Sequence, residues 1–228
     1  PVAEGVPQRR LSRSARDTPT TPLIPPWPPD DEESTMRVQA YKPIDEGEYL
    51  ALEARSPVRH EYIAGEIFAM TGASIRHNII ALNIATALRT HLRGTPCRAL
   101  MEGVKLYLKK ERSYFYPDVM VTCEPRLLEL DAQVQVVDSP VLIVEVLSPS
   151  TEGIDRREKL RAYRTLPGLK EYAMVSQDEC RVELHRRRGD IGWDIITFEP
   201  GDTVELASVE LQLPIADVYF EAGVACSG

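Results

Sequence analysis

The chain has 228 residues, a formal net charge of −8 and 43% hydrophobic residues; that is enough apolar material for a substantial core, and one domain is the simplest reading. No internal repeat marks a solenoid, no apolar run approaches the roughly 18 residues of a membrane span, and the N-terminus lacks the basic, apolar and small-residue order of a signal peptide, so a soluble, cytoplasmic protein is expected. The acid excess argues weakly against a nucleic-acid partner, because phosphate binding usually draws on a basic surface.

Residues 1–35 differ from the rest. Prolines at 19, 22, 25, 26, 28 and 29 punctuate a stretch with neither helical nor strand period, so it cannot bury enough apolar surface to offset its ordering entropy. It reads as a Pro-rich tail: either a remnant upstream of a natural start at Met36, or an arm that docks a partner. Residues 36–228 are the expected folded domain.

Within that domain, IDEGEYLALEAR (44–55) has a short helical period and EYIAGEIFAMTG (61–72) alternates around Gly65 like a hairpin. Ile80, Ile84, Leu88 and Leu92 recur every four residues and make 74–92 an amphipathic helix, with Ser74 as its N-cap. RALMEGVKLYL (98–108) reads as one strand, reversed at 111–113 and returning as its neighbour YFYPDVMVT (114–122). VLIVEVL (141–147) is an apolar run whose only charge is Glu145, the pattern of a central strand covered on both faces. SPST caps a helix that runs to about Leu166, and strands follow at 171–176, 181–187 and 193–199. The order of helix, hairpin, central strand, crossover helix and strand is that of an α/β fold, a mixed β-sheet flanked by helices.

Four cysteines, Cys97, Cys123, Cys180 and Cys226, fall at irregular spacings without a CxxC pair. Reduced structural thiols are expected over zinc ligands or disulfides.

Two carboxylates stand out. Asp118 and Glu145 each lie in an otherwise apolar strand, where a charge is costly unless it is paired, hydrogen-bonded or bound to a cation. A shared cation or proton is the first hypothesis.

PDVMV, VLIVEVLSPST, the D-x-x-x-K-x-x-x-Y run at Asp155, Lys159 and Tyr163, and EYAMV together resemble the Uma2 family, formerly DUF820, over about residues 40–220. The resemblance implies a restriction-endonuclease-like core of the PD-(D/E)XK superfamily, and with it a Mg²⁺- or Mn²⁺-dependent DNA endonuclease in which Asp118 and Glu145 hold the metal. The superfamily's E-x-K lysine would fall at 147, where this chain has Leu147. Lys159, four residues after Asp155 on the crossover helix, and Lys105, in the strand before Asp118, are the two candidates for the displaced basic role; the alternative for Asp155 and Lys159 is a surface ion pair. His77, at the start of the amphipathic helix, could contact metal or phosphate. Glu66 reads as a turn-flanking acid, Ser148 and Ser150 as helix caps whose neighbouring amides could receive a phosphate, and Tyr163 as a packed aromatic.

Basic residues cluster at Arg156, Arg157, Lys159, Arg161 and Arg164, and at Lys105, Lys109, Lys110 and Arg112, as a local basic rim or as ordinary solvated faces. Beside the endonuclease stand two other readings: a catalytically degenerate nucleic-acid-binding module, favoured by Leu147, and a homodimer-forming interaction protein, compatible with the apolar pattern LQLPIADVYF (211–220).

Overall fold

The computed structural model describes residues 43–70, 72–125, 135–149 and 151–226. The Pro-rich segment, Met36 and Ser150 lie outside them.

The chain opens with α1 (Glu46–Glu53), started by a capping box in which Asp45 accepts from the Glu48 amide and Glu48 from the Asp45 amide. Strands β1 (His60–Ile63) and β2 (Glu66–Ala69) form the expected hairpin. Its turn needs Gly65: φ is +100° there, and a Cβ would come within 2.6 Å of the Pro43 side chain. Ser74 caps α2 (Ile75–His91) through the His77 amide, as expected, and the helix buries Ile80, Ile84 and Leu88.

The single strand expected over 98–108 is two. β3 (Arg98–Met101) and β4 (Lys105–Leu108) are separated at Gly103, whose φ of +114° turns the chain. The returning segment is split as well, into β5 (Ser113–Phe115) and β6 (Val119–Thr122) around Pro117, which cannot donate to a ladder. β4 pairs with β5 and β3 with β6, so one expected hairpin becomes two antiparallel pairs in different sheets. β7 (Val136–Val137) joins β4 in parallel.

β8 (Pro140–Leu147) is the central strand, antiparallel to β6 and parallel to β9 (Glu171–Ser176). The crossover between them holds α3 (Glu152–Ile154), a π-helical turn at Asp155–Lys159 and α4 (Leu160–Tyr163). β10 (Val182–Arg187) and β11 (Trp193–Phe198) complete a six-stranded mixed sheet ordered β11-β10-β9-β8-β6-β3; the other hairpins give a five-stranded sheet ordered β2-β1-β5-β4-β7. A small ladder of β12 (Thr203–Leu206) and β13 (Leu211–Pro214), with α5 (Ile215–Val218), closes the chain. The architecture is α/β, as expected.

β8 is covered on both faces. Leu142, Val144 and Val146 pack with Ile80, Ile84 and Leu88 of α2, while Ile143 and Leu147 pack with Met120, Tyr163 and Tyr172. The C-terminal apolar pattern is used mostly internally: Leu211, Leu213, Ile215, Val218 and Tyr219 belong to the α2-side core, while Phe220 is exposed.

The cysteine expectation is overturned. Cys97 is bonded to Cys123 and Cys180 to Cys226. The β3–β6 register, which sets Arg98 against Thr122, brings Cys97 opposite Cys123; sequence separations of 26 and 46 carry no trace of that adjacency. The cysteines therefore give no support to a reducing compartment. Among the described residues, no helix is long and apolar enough to cross a membrane.

Candidate active site

Pro117 lies between β5 and β6, and Asp118 immediately precedes β6. The register that sets Val119 against Val144 brings Asp118 beside Glu145. Each acid takes a backbone donor from the other's strand: Asp118 N–H donates to Glu145 Oε2 (3.3 Å) and Val146 N–H to Asp118 Oδ2 (2.7 Å). The two are neighbours across β6 and β8, as the pattern of lone acids in apolar strands predicts.

The crossover helix delivers the lysine. Lys159 Nζ lies 3.0 Å from Glu61 Oε1, 3.1 Å from Asp155 Oδ1 and 3.2 Å from Glu145 Oε1. Asp155 and Lys159 are both buried, at 2% and 6% exposure, so their pairing is not the surface ion pair offered as the alternative. The π-helical turn spanning them is a feature that recurs at functional sites. Position 147 is closed to a catalytic lysine, because Leu147 packs in the core with Ile143 and Tyr163. Tyr163 donates from its hydroxyl to Glu145 Oε1 (2.7 Å), and Tyr172 from its hydroxyl to the Asp155 carbonyl (3.3 Å).

Charge in this centre is unbalanced. Glu61, Glu145 and Asp155 surround one ammonium; Asp118 lies beside Glu145, and His77 Nε2 approaches Asp118 Oδ2 at 3.2 Å from the first turn of α2. Burial, only partly opposed by Lys159 and reinforced by Asp118, Asp155 and Glu61, lifts the Glu145 carboxyl well above its usual range. Lys159 is also lifted: burial disfavours its charge, but Glu145, Glu61 and Asp155 outweigh that. For His77, burial lowers the pKa and the hydrogen bond and charge of Asp118 more than restore it, leaving it raised. An acid-rich buried cluster holds protons, or other cations, tightly.

Glu61 is the member that sequence reasoning missed. It looked like one polar residue in an alternating hairpin, but the β1–β5 pairing of Tyr62 with Tyr114 puts the tyrosines on one face and leaves Glu61 on the other, with Lys159. Its Oε1 also accepts from the Tyr116 amide (3.3 Å). The strand alternation was legible; which face met the lysine was not.

Other candidates fall elsewhere. Lys105 lies in β4 of the five-stranded sheet, and among the described residues it makes no ion pair with the acids of the centre. Glu66 is exposed in β2, on a cavity of about 330 Å³ with Ile63, Phe68, Ile154 and Glu158. Ser148 and Thr151 join hydroxyls at 3.0 Å, and the helix entry is formed by backbone bonds from Thr151 and Glu152 to the Ser148 carbonyl rather than by a side-chain cap.

Among the described residues no three His, Cys, Asp or Glu side chains close on one point as a ready metal cage. The donor set still fits Mg²⁺, which retains several waters and needs only one or two carboxylates. Asp118 Oδ1 takes no hydrogen bond from the described residues, and the side chain keeps 15% exposure.

Residues 47–216 match a family whose description is "Uma2: Putative restriction endonuclease". The chain belongs to the Uma2 family. Two uncharacterized proteins of Synechocystis sp. are related along most of their length: slr1290, 37% identical over 75% of this chain and 89% of its own, and sll1609, 35% identical over 75% and 96%. The Uma2 fold is also that of the Anabaena variabilis protein described as a "putative nuclease belonging to DUF820", at a TM-score of 0.65 and 21% identity over 78% of this chain and 98% of that one.

Proposed function

We propose that this Uma2 protein is a Mg²⁺-dependent endonuclease that hydrolyses phosphodiester bonds in DNA, with Mn²⁺ as an alternative metal. The observation that carries the reading is the convergence of Asp118, Glu145 and Lys159 from two adjacent strands and the crossover helix, with the E-x-K position given over to the core. Membership of the family described as "Putative restriction endonuclease" supports it.

Asp118 and Glu145 would hold the metal, which supplies a polarised water and relief of the charge that builds on phosphate and leaving oxygen. The protein's own groups do the rest. Val146 N–H and His77 fix the Asp118 carboxylate, leaving its second oxygen open. The Tyr163 hydroxyl fixes Glu145 through Oε1. Lys159 carries the exchangeable proton and positive charge at Glu145 Oε1, where it can orient the attacking water or give up a proton once another cation shares the carboxylates.

Incubation of purified protein with supercoiled plasmid and Mg²⁺ or Mn²⁺ tests this. Nicking that requires the metal and disappears in Asp118→Asn is the expected result; no cleavage of duplex or single-stranded DNA with either metal would overturn it.

A further inference from the structure

Resting on the nuclease reading, we propose that the cavity between the β1–β2 hairpin and the crossover turn takes one unstacked nucleobase of the bound strand, selected for its exocyclic amino group. The cavity, of about 330 Å³, is lined by Ile63, Ala64, Glu66, Phe68, Ile154 and Glu158. Strand register and helical spacing both set it against the catalytic centre. In the hairpin Glu61 pairs with Phe68 and Ile63 with Glu66, and directly opposed residues share a face, their Cβ atoms roughly 5 Å apart. All four therefore lie on the side where Glu61 meets Lys159 Nζ at 3.0 Å, while Tyr62 and Ile67 pack on the other side with Tyr49 and Tyr114. On the crossover, Ile154 and Glu158 each stand one residue before Asp155 and Lys159. Asp155 and Lys159 pair within the centre, so Ile154 and Glu158, four residues apart, form the adjoining face of the same turn.

The lining selects among the parts of a nucleic acid. No Lys or Arg lines the cavity and two acids do, so it repels phosphate. What it offers instead is apolar walls, an aromatic ring and carboxylate acceptors. Phe68 is 37% exposed, and an exposed ring beside a catalytic centre is a stacking platform for a base. Glu158 Oε2 is shielded from solvent and takes no hydrogen bond from the described residues; the cation paired with it, Arg157 Nε, stands 4.0 Å away. A desolvated acceptor without a donor is costly, and an amino group would satisfy it. Glu66, exposed on β2, supplies a second acceptor.

Adenine, cytosine and guanine each carry an exocyclic amino group. Thymine presents two carbonyls, which carboxylates repel, beside a single N–H. A carboxylate accepting from the cytosine amino group is a recurrent base contact. A base enters such a cavity only when unstacked, which costs least in a single strand.

The test is cleavage of a labelled single-stranded oligonucleotide with a randomised centre, in Mn²⁺, with the product ends sequenced, alongside plasmid nicking in Mg²⁺ or Mn²⁺. At one fixed position beside the cut, thymine should be depleted about tenfold against the amino-bearing bases. The double variant Glu66→Gln, Glu158→Gln should lose that bias while still cutting, since glutamine amides can donate to the thymine carbonyls. The bias rather than the rate is the readout, because removing an acid favours any polyanion. Phe68→Ala should lower single-strand cleavage about tenfold, and Phe68→Tyr should keep the wild-type rate. Glu199→Gln, which removes an acid just after β11 at the far edge of the six-stranded sheet, should keep the wild-type bias, and melting temperatures should agree across the set. Wild-type cleavage without base bias, the same bias in the double variant, or a wild-type rate in Phe68→Ala would overturn the subsite and leave the nuclease reading standing. A wild-type protein that cuts neither substrate with either metal would overturn both.

Discussion

Glu145 and Glu171 stand on adjacent parallel strands of one sheet, and both are almost wholly excluded from solvent, at 3% and 1%. Their surroundings differ. Glu171 meets donors: Arg186 Nε at 2.7 Å, Ala207 N–H at 3.2 Å and Ser208 N–H at 2.8 Å. Glu145 also takes three donors, from Tyr163, Lys159 and Asp118 N–H, but it shares its pocket with Asp118, Asp155 and Glu61. One acid anchors the β12 end of the chain to the sheet; the other belongs to a cluster with more negative charge than the protein itself neutralises. Burial of an acid is therefore a poor guide to its role, and the imbalance around it is a better one.

The largest expected separation between the two is in activity. Asp118→Asn and Lys159→Met should each lower metal-dependent nicking by about two orders of magnitude or more, whereas Glu171→Gln, assayed per folded molecule, should stay within a few-fold of wild type. A Glu171 variant as inactive as Lys159→Met would erase the distinction.

Stability should run the other way. Glu171→Ala leaves two buried amides unpaired and takes from Arg186 one of its two carboxylates, Glu205 remaining, and should cost about 3 kcal/mol in urea unfolding. Glu145→Gln removes a charge that its surroundings disfavour, and the metal-free variant should unfold at the same or higher urea concentration than wild type. A Glu145→Gln protein less stable than Glu171→Ala would show that the charge imbalance had been misread.

The pH dependence sharpens this. A carboxyl whose folded pKa is raised contributes stability that is full below its unfolded pKa, near 4.5, and is lost as pH rises toward the folded value. Metal-free wild type should lose stability upward from that point, and Glu145→Gln should flatten the loss. The smallest effect is expected at His77. Its raised pKa means that its pairing with Asp118 stabilises below about pH 6.5 and fades as pH rises beyond, so His77→Ala should cost about 1 kcal/mol at pH 5.5 and less at pH 9.

Much of this contrast was legible in the sequence. Glu145 announced itself as the sole charge in VLIVEVL, Asp118 as the acid after Pro117, and Lys159 by its helical offset from Asp155. Glu171 passed unnoticed because its partners are largely backbone amides from a distant turn, and amides leave no mark in residue identity. Glu61 was hidden for a different reason: alternation gives two faces without saying which one meets a lysine about a hundred residues later. The Cys97–Cys123 disulfide and the split of 98–108 between two sheets follow from strand register and a single glycine φ, neither of which periodicity encodes.

The central claim is that the Glu145 cluster is short of a cation and the Glu171 site is not. Titration calorimetry of the metal-free protein with Mn²⁺ at neutral pH, with melting temperature followed in parallel, tests it most directly. Binding of about one ion with a rise in melting temperature is predicted for wild type and for Glu171→Gln, and loss of both signals for Asp118→Asn and Glu145→Gln. Undiminished Mn²⁺ binding in the Asp118 and Glu145 variants, or none in wild type, would contradict it.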